Sequence, residues 1–376
     1  MMNTAIQQGT VPHLTGYSPG FNRVRLSIIS VLFSILCLSG CEKGEAEDES
    51  VPVEAGPEIS RIALGSCAHQ DKNQIIWEPI VATDPDLFLF LGDNIYGDTN
   101  DMAVMRAKYQ KLAEKPGYQK LKATCPILAV WDDHDYGVND GGKDYEMKVQ
   151  SEEVFHEFFE TPAESEVLQH PGTYQTRYFG GEGRRLQVIL LDTRYFRDSM
   201  VWLPETEDPG NGPYGRNRDP NATVLGTAQW AWLEKQLQVP ADFRIIASSI
   251  QFLPQDHHWE LWENFPLERA KLLNMLKTHV TNPVLFVSGD RHMGEIMELN
   301  TTDPLSPGYP VYELTSSGLT NAGGGRKGEP NRHRVSPTNF QSRNFGMVQI
   351  DWEKSKVMLD LRDVTGKVVD SFGISF

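Results

Sequence analysis

The chain holds 376 residues and carries 51 Asp and Glu against 35 Lys and Arg, a formal charge of −16. A surface that acidic argues against nucleic-acid binding as the main role and repels anionic ligands unless positive charge is gathered locally. The length suffices for one large core or a core with decorations, and no internal repeat appears.

In chain order, the first forty residues read as an export signal. Arg23 and Arg25 precede an apolar run, 26–38, too short to span a bilayer and shaped like the h-region of a signal peptide. The run closes on Leu38-Ser39-Gly40-Cys41, which resembles a bacterial lipobox. That resemblance implies cleavage before Cys41, acylation of the new N-terminal cysteine, and an exported protein held at the cell envelope by lipid. A plain secretory signal is the alternative. Residues 1–20 are long for the segment ahead of an h-region and fit an upstream start codon. Removing 1–40 takes away Arg23 and Arg25 and shifts the formal charge from −16 to −18. Residues 41–58, opening with an acidic run without an apolar face, are expected to form a disordered tether. Residues 59–376 are expected to be one folded domain and a monomer.

Six short apolar runs then end in residues that carry chemistry. Run 62–64 ends in Gly65-Ser66-Cys67, and 87–91 in Gly92-Asp93. Run 127–131 ends in Asp132-Asp133-His134-Asp135, and 188–191 in Asp192-Thr193-Arg194. Run 244–247 ends in Ser248-Ser249, and 284–287 in Ser288-Gly289-Asp290-Arg291-His292. Helical patterns at 73–81, 102–112, 227–237 and 267–279 lie between them. Alternating strands and helices predict an α/β fold with mostly parallel sheet, whose strands deliver these residues to one rim. Runs 311–314, 346–351, 357–361 and 367–372 read as antiparallel strands of a second sheet that closes the core.

Two turn-rich segments interrupt the pattern. Segment 199–226 is rich in Pro, Gly and Asn. Segment 318–344 holds Gly323, Gly324 and Gly325 with Arg326, Lys327, Arg332, Arg334 and Arg343. Loops this long are functional or disordered. The second reads as a phosphate-facing lid or as a solvated loop.

Asp93, Asp133 and Asp290 in one cleft would repel one another without cations to compensate them. Carboxylates suit Ca²⁺, Mg²⁺ or Mn²⁺, whereas the thiolate of Cys67, the phenolate of Tyr96 and the imidazole of His292 suit Fe or Zn. The mixture points to two unlike metals bridged by Asp93, which together would activate a shared water and clamp a phosphoryl oxygen. His134 follows Asp133 by one residue and is a candidate proton donor to the leaving group. Arg194 is a candidate catalytic cation oriented by Asp192, with a structural ion pair as the alternative. Asp132 and Asp135 read as helix caps or partners of the His134 imidazole. His257 and His258 read as surface residues, and Gln251 and Asn139 as possible metal or substrate contacts.

The motifs GSC at 65–67, GDNIY at 92–96, WDDHD at 131–135, LDTRYFR at 191–197, GDRH at 289–292 and LTSSG at 314–318 resemble the alkaline phosphatase D (PhoD-like) metallophosphoesterases, in the family's order. The resemblance implies a four-layer αββα sandwich with two mixed sheets flanked by helices. It also implies hydrolysis of phosphate monoesters or diesters, small molecules rather than nucleic acid, through a dinuclear centre. Cys67, Asp93, Tyr96 and His292 would match a ferric iron site. Asp93, Asp133 and Asp290 would match a second site for calcium, with Mn²⁺ or Zn²⁺ as alternatives, and His134 the catalytic histidine. Arg326, Lys327, Arg332 and Arg334 are expected to hold the anionic ester. Further calcium-side ligands are not matched around Ser249 and Gln251, and the N-terminal β-domain of longer members is not expected here. A lipoprotein of the same fold that binds phosphorylated ligands without turnover is the other reading.

Two cysteines of an exported domain pair by default. Here Cys67 ends one strand and Cys125 precedes another, opposite edges that four to six residues at about 3.3 Å each hold roughly 13–20 Å apart. A disulfide needs Cα atoms within about 7 Å, so both thiols are expected to be free.

Overall fold

The first two strands show how the layers arise. β1 (Arg61–Gly65) leads through α1 (Trp77–Ala82) to β2 (Leu87–Leu91), and the two strands pair in parallel. Strand residues alternate between faces. Leu87, Leu89 and Leu91 enter one buried cluster, Phe88 and Phe90 another. A strand buried on both faces needs an apolar layer on each side. The computed structural model, which describes residues 56–204, 211–324 and 326–376, supplies both.

The chain continues through α2 (Met102–Ala113) and α3 (Pro116–Thr124) to β3 (Ile127–Val130), parallel to β2. The Asp101 carboxylate caps α2 by accepting from the backbone N of Ala103 at 2.8 Å. After the single turn α4 (Asp133–Tyr136) and α5 (Lys148–Phe158), the chain enters a different sheet at β4 (Gln175–Phe179) and β5 (Leu186–Leu190). A two-stranded ribbon, β6 (Val201–Trp202) with β7 (Tyr214–Gly215), precedes α6 (Gly226–Gln238), β8 (Phe243–Ala247), α7 (Pro266–His279) and β9 (Val284–Ser288). β10 (Gly294–Leu299) and β11 (Val311–Ser316) complete that sheet, in the order β10-β11-β9-β8-β5-β4. β12 (Asn344–Asp351), β13 (Lys356–Asp363) and β14 (Val368–Ser375) return to the first, ordered β14-β13-β12-β1-β2-β3.

The fold is therefore a mixed α/β sandwich of two six-stranded mixed sheets flanked by helices. Leu89, Leu91, Val188, Leu190, Ile245 and Val287 fill the space between the sheets. Trp77, Tyr109, Tyr118 and Phe155 of α1, α2, α3 and α5 cover the first sheet; Trp230, Leu233, Leu272 and Leu276 of α6 and α7 cover the second. Each fully buried Leu or Phe contributes about 1.5–3 kcal/mol, so these clusters hold the layers together. Among the described residues no helix is long and apolar enough to cross a membrane.

Two sequence expectations are corrected. The chemistry-bearing strands do not share one sheet: β1, β2 and β3 lie in the first, and β5, β8 and β9 in the second. The C-terminal strands do not make a separate sheet either. β12 pairs antiparallel with β1, and β11 lies parallel to β9. An apolar run reports burial on both faces, but not the neighbour that donates its hydrogen bonds.

At the carboxyl ends of β1, β2 and β9 the sheets nearly touch. A Cβ added to Gly289 would stand 2.5 Å from the Leu91 carbonyl oxygen, so only glycine fits there. This contact places the loops after β1, β2, β3 and β9 around one cleft.

Candidate metal centre

Side chains at this cleft sit on left-handed backbone, among them Cys67 at φ 63°, Asp93 at 50°, Asp290 at 65° and His292 at 54°. A residue other than glycine there costs on the order of 1–3 kcal/mol, and such strain gathers where side chains must be aimed. The turns are held by the neighbouring rim. Cys67 and Ala68 donate backbone N–H to the carbonyls of Gly92 and Asp93 at 3.4 and 2.9 Å. Asp135 Oδ1 accepts from the backbone N of Asp132 at 2.7 Å and of Asp93 at 3.2 Å, while Asn94 Nδ2 donates to Asp135 Oδ2 at 2.5 Å. Asp135 is thus a buried tie between the loops after β2 and β3, and its carboxyl is pushed up to about 7 by burial.

On one side of Asp93 lies the thiol. Cys67 Sγ is 3.3 Å from Asp93 Oδ2 and 3.1 Å from Ser317 Oγ. Tyr96 Oη lies 2.8 Å from His292 Nε2, and Asn321 Nδ2 donates to that phenol at 2.7 Å. Donor atoms of Cys67, Asp93 and His292 all fall within 4.8 Å of one another. Burial pushes the thiol up to about 11 and the His292 imidazole down to about 4. Cys67 and Cys125 are both buried and both free, so no disulfide competes for this sulfur.

On the other side lie carboxylates. Asp93, Asp133 and His134 form a second cluster within the same 4.8 Å limit, and Asp132, Asp133 and Asp290 a third. Asp133 accepts from the backbone N of His134 at 2.9 Å and of Asp140 at 2.7 Å. Burial would raise Asp133, but Arg194 and His134 hold it down to about 2. Asp93 and Asp290 are driven well above the carboxylate range, first by burial and then by the anions around them. His134 Nδ1 lies 2.6 Å from Asp98 Oδ1. Burial lowers that imidazole, yet Asp98, Asp93 and Asp133 together raise it to about 10.

Arg194 is fully buried beneath the cleft. Its Nε donates to Asp132 Oδ1 at 2.6 Å and its Nη1 to Glu260 Oε1 at 2.8 Å. Asp192 does not orient this guanidinium as expected. It accepts from the backbone N of Arg194 and Tyr195 at 2.8 and 2.9 Å, and so shapes the turn. Arg194 also donates to the Gly141 carbonyl at 3.3 Å and is not among the described wall residues of the cavity over Asp93 and Asp133.

The cleft opens into a cavity of about 220 Å³ whose walls include Asp93, Asp133, His134, Asp290, His292 and Arg291. The expected basic loop does not furnish its cations. Arg332 pairs with Asp256 and Arg334 with Glu295, each at 2.5 Å, and neither these nor Arg326 or Lys327 is among the described wall residues. The guanidinium at the wall belongs to Arg291, gripped in two contacts of 2.9 and 3.1 Å by Glu329 of that same loop and lying 5.4 Å from the Trp259 ring. His257, expected at the surface, is buried and meets Gln251 Oε1 at 3.1 Å. Gln251 donates instead to Glu295 and Thr315 in the second sheet, away from the cavity walls. Asn139 does line the cavity. The sequence reading assigned no role to Asp140, Glu260, Asn321 or Ser317. None adjoins a strand-end motif except Ser317, within the LTSSG run. Cys41, the candidate lipidation site, and residues 1–55 lie outside the described residues.

The donor set fits two cations. Asp93 Oδ1 is buried without a hydrogen-bond partner, a costly arrangement for a carboxylate that shares its pocket with Cys67 on one side and Asp133 on the other. The Cys67 thiol and the His292 imidazole stand on the first side, and carboxylates with the His134 imidazole on the second.

A two-sheet sandwich carrying an acidic, thiol-bearing cleft where its rims meet is a scaffold for a dinuclear metal centre. The family model described as PhoD-like phosphatase matches residues 62–361, and the chain belongs to that family. Alkaline phosphatase D of Bacillus subtilis (strain 168) is 26% identical over 222 residues, covering 54% of this chain and 37% of that protein. This chain thus matches little more than a third of that relative's length. Among solved structures, one titled as the structure of PhoD has a TM-score of 0.65 at 17% identity, covering 85% of this chain and 69% of the other. A dimetal phosphatase from Danio rerio has a TM-score of 0.50 at 13% identity, covering 85% and 99%. At these identities the likeness is one of fold.

Proposed function

We propose that the chain is a metal-dependent phosphoesterase hydrolysing small phosphate monoesters or diesters. The observation that carries this is Asp93. One buried, partly unpaired carboxylate stands between a Cys–Tyr–His set and a carboxylate set, in a chain that belongs to a phosphatase family. Cys67, Asp93, Tyr96 and His292 would hold a ferric ion, and Asp93, Asp133 and Asp290 a second ion, calcium in the first instance. When bound, the metals would supply Lewis acidity toward a phosphoryl oxygen and lower the pKa of a coordinated water.

The chain's own residues do the rest. Asp98 engages Nδ1 of His134, which leaves Nε2 as the nitrogen that can hold a proton for the departing alcohol. Arg291, fixed by Glu329, offers a planar cation to the ester's anionic oxygens. Arg194 keeps Asp132 and Glu260 in place beneath them. Export and a lipid anchor at Cys41 belong to the same proposal and rest on residues 23–41 alone.

The test is release of 4-nitrophenolate from 4-nitrophenyl phosphate and from bis(4-nitrophenyl) phosphate after loading with Fe³⁺, Ca²⁺, Mn²⁺ or Zn²⁺. Metal-dependent turnover of at least one ester is expected. An iron-loaded sample should also show a visible charge-transfer band that Cys67→Ala abolishes and Cys125→Ala leaves in place. Turnover of neither ester with any metal would favour the silent binding protein, and a band that survives Cys67→Ala would remove iron from the thiol side.

A further inference from the structure

A second cavity, of about 510 Å³, adjoins the metal cavity and shares Asn139, Asp140 and Tyr214 with it. One wall is aromatic. Trp202 is 69% exposed, an unusual cost for so large an apolar surface. It meets the Tyr214 ring edge-on at 4.9 Å, and Tyr145 stands in the same lining. The lining is also acidic, with Asp144, Glu146 and Asp140, whose Oδ2 accepts from the Tyr214 hydroxyl. Arg197 is the single cation among the described lining residues, and it is already occupied. Its Nη2 donates to the carbonyls of Asp140 and Gly141 at 2.5 and 2.8 Å and pairs with Glu260 at 3.1 Å.

Aromatic faces in a lining whose carboxylates outnumber its cations attract a soft organic cation and repel an anion. The position decides what that cation belongs to, because a group in this cavity is one shared wall away from the proposed phosphoryl site. We propose that this cavity is the alcohol subsite of the enzyme and that it takes an alcohol bearing an alkylated ammonium group. The inference rests on the phosphoesterase reading. In the reaction water's oxygen bonds to phosphorus, the bond from phosphorus to the alcohol oxygen breaks, and the alcohol departs with a proton, its ammonium unchanged.

The test compares choline with 3,3-dimethylbutan-1-ol, a neutral molecule of the same shape, by calorimetric titration of the metal-loaded full chain. Choline should bind about three- to thirty-fold more tightly, the range of one cation over an aromatic face. Trp202→Ala, at a site exposed enough to leave folding intact, should erase the difference. Equal binding, or a preference that survives Trp202→Ala, overturns the subsite. The kcat/KM values for choline phosphate and 3,3-dimethylbutyl phosphate should follow the same order. Binding of choline without that order in turnover overturns the role as alcohol subsite. Failure of every ester to turn over strikes the phosphoesterase reading, while the titration still decides whether the cavity selects the cation.

Discussion

Asp132 and Asp133 are adjacent in sequence and face different tasks. Burial pushes Asp132 up to about 8 despite its contact with Arg194, whereas Asp133 is held down to about 2. Removing the guanidinium would leave Asp132 buried with no cation beside it, while Glu260 keeps only Arg197 at 3.1 Å, so Arg194→Met is expected to lower the free energy of unfolding by about 3–5 kcal/mol. Denaturant titration measures this, and a loss below about 1 kcal/mol would mean that the pair is not a structural support. His134 is the opposite case, partly exposed and facing the cavity. His134→Ala should lower turnover by about two to four orders of magnitude while metal content, measured by elemental analysis, stays near that of the unaltered protein. Loss of metal instead would make His134 a ligand, which its place within 4.8 Å of Asp93 and Asp133 permits.

At the scale of elements, the strands that end in reactive residues are legible in the sequence, whereas β4 and β10 are not. Strand 87–91 was read to the residue because five apolar residues meet a glycine and a carboxylate. α3 and α5 are not evident in the sequence because their apolar residues are spaced among Lys, Gln and Glu and become a face only when Tyr118, Val154 and Phe155 meet the first sheet. α5 also carries a testable acid sensitivity. His156 is buried with Nδ1 3.0 Å from Thr161 Oγ1, and its imidazole is pushed down to about 4 by burial. Glu152, 3.9 Å away, is raised to about 7 by its own burial, so the two do not form a neutral-pH ion pair. A histidine whose folded pKa lies below the unfolded value of about 6.5 contributes stability above that value and loses it as the pH falls toward 4. His156→Gln, which cannot titrate, should lose less melting temperature between pH 7 and pH 4.5 than the unaltered protein does. Parallel losses in both proteins would clear His156 of any part in acid unfolding.

For the whole molecule, the acids gathered at one rim form a cleft that bound cations would stabilise. The folded state presents the cluster and the unfolded chain does not, so cations that fit the cleft stabilise the fold by mass action, about 2.7 kcal/mol at a hundredfold excess over Kd. Stripping metals with a chelator should lower Tm, and restoring Ca²⁺ with Fe³⁺ should return it. An unchanged Tm across that cycle would show that the cleft binds no cation strongly enough to matter.

Local chemistry along the chain was enough to determine the strand ends, their reactive residues and the family resemblance, because an apolar run followed by Gly-Asp or Asp-His is visible within a few positions. Tertiary structure alone decided which sheet each strand joined, since hydrogen-bond partners such as β1 with β12 come from opposite ends of the chain. It also decided that Arg291, gripped by Glu329, rather than Arg332 or Arg334 stands at the cavity wall, and that Asp98 rather than Asp135 meets the His134 imidazole. Charge pairing depends on distance through space, and neither the count of arginines in a loop nor the order of carboxylates along a strand end contains it.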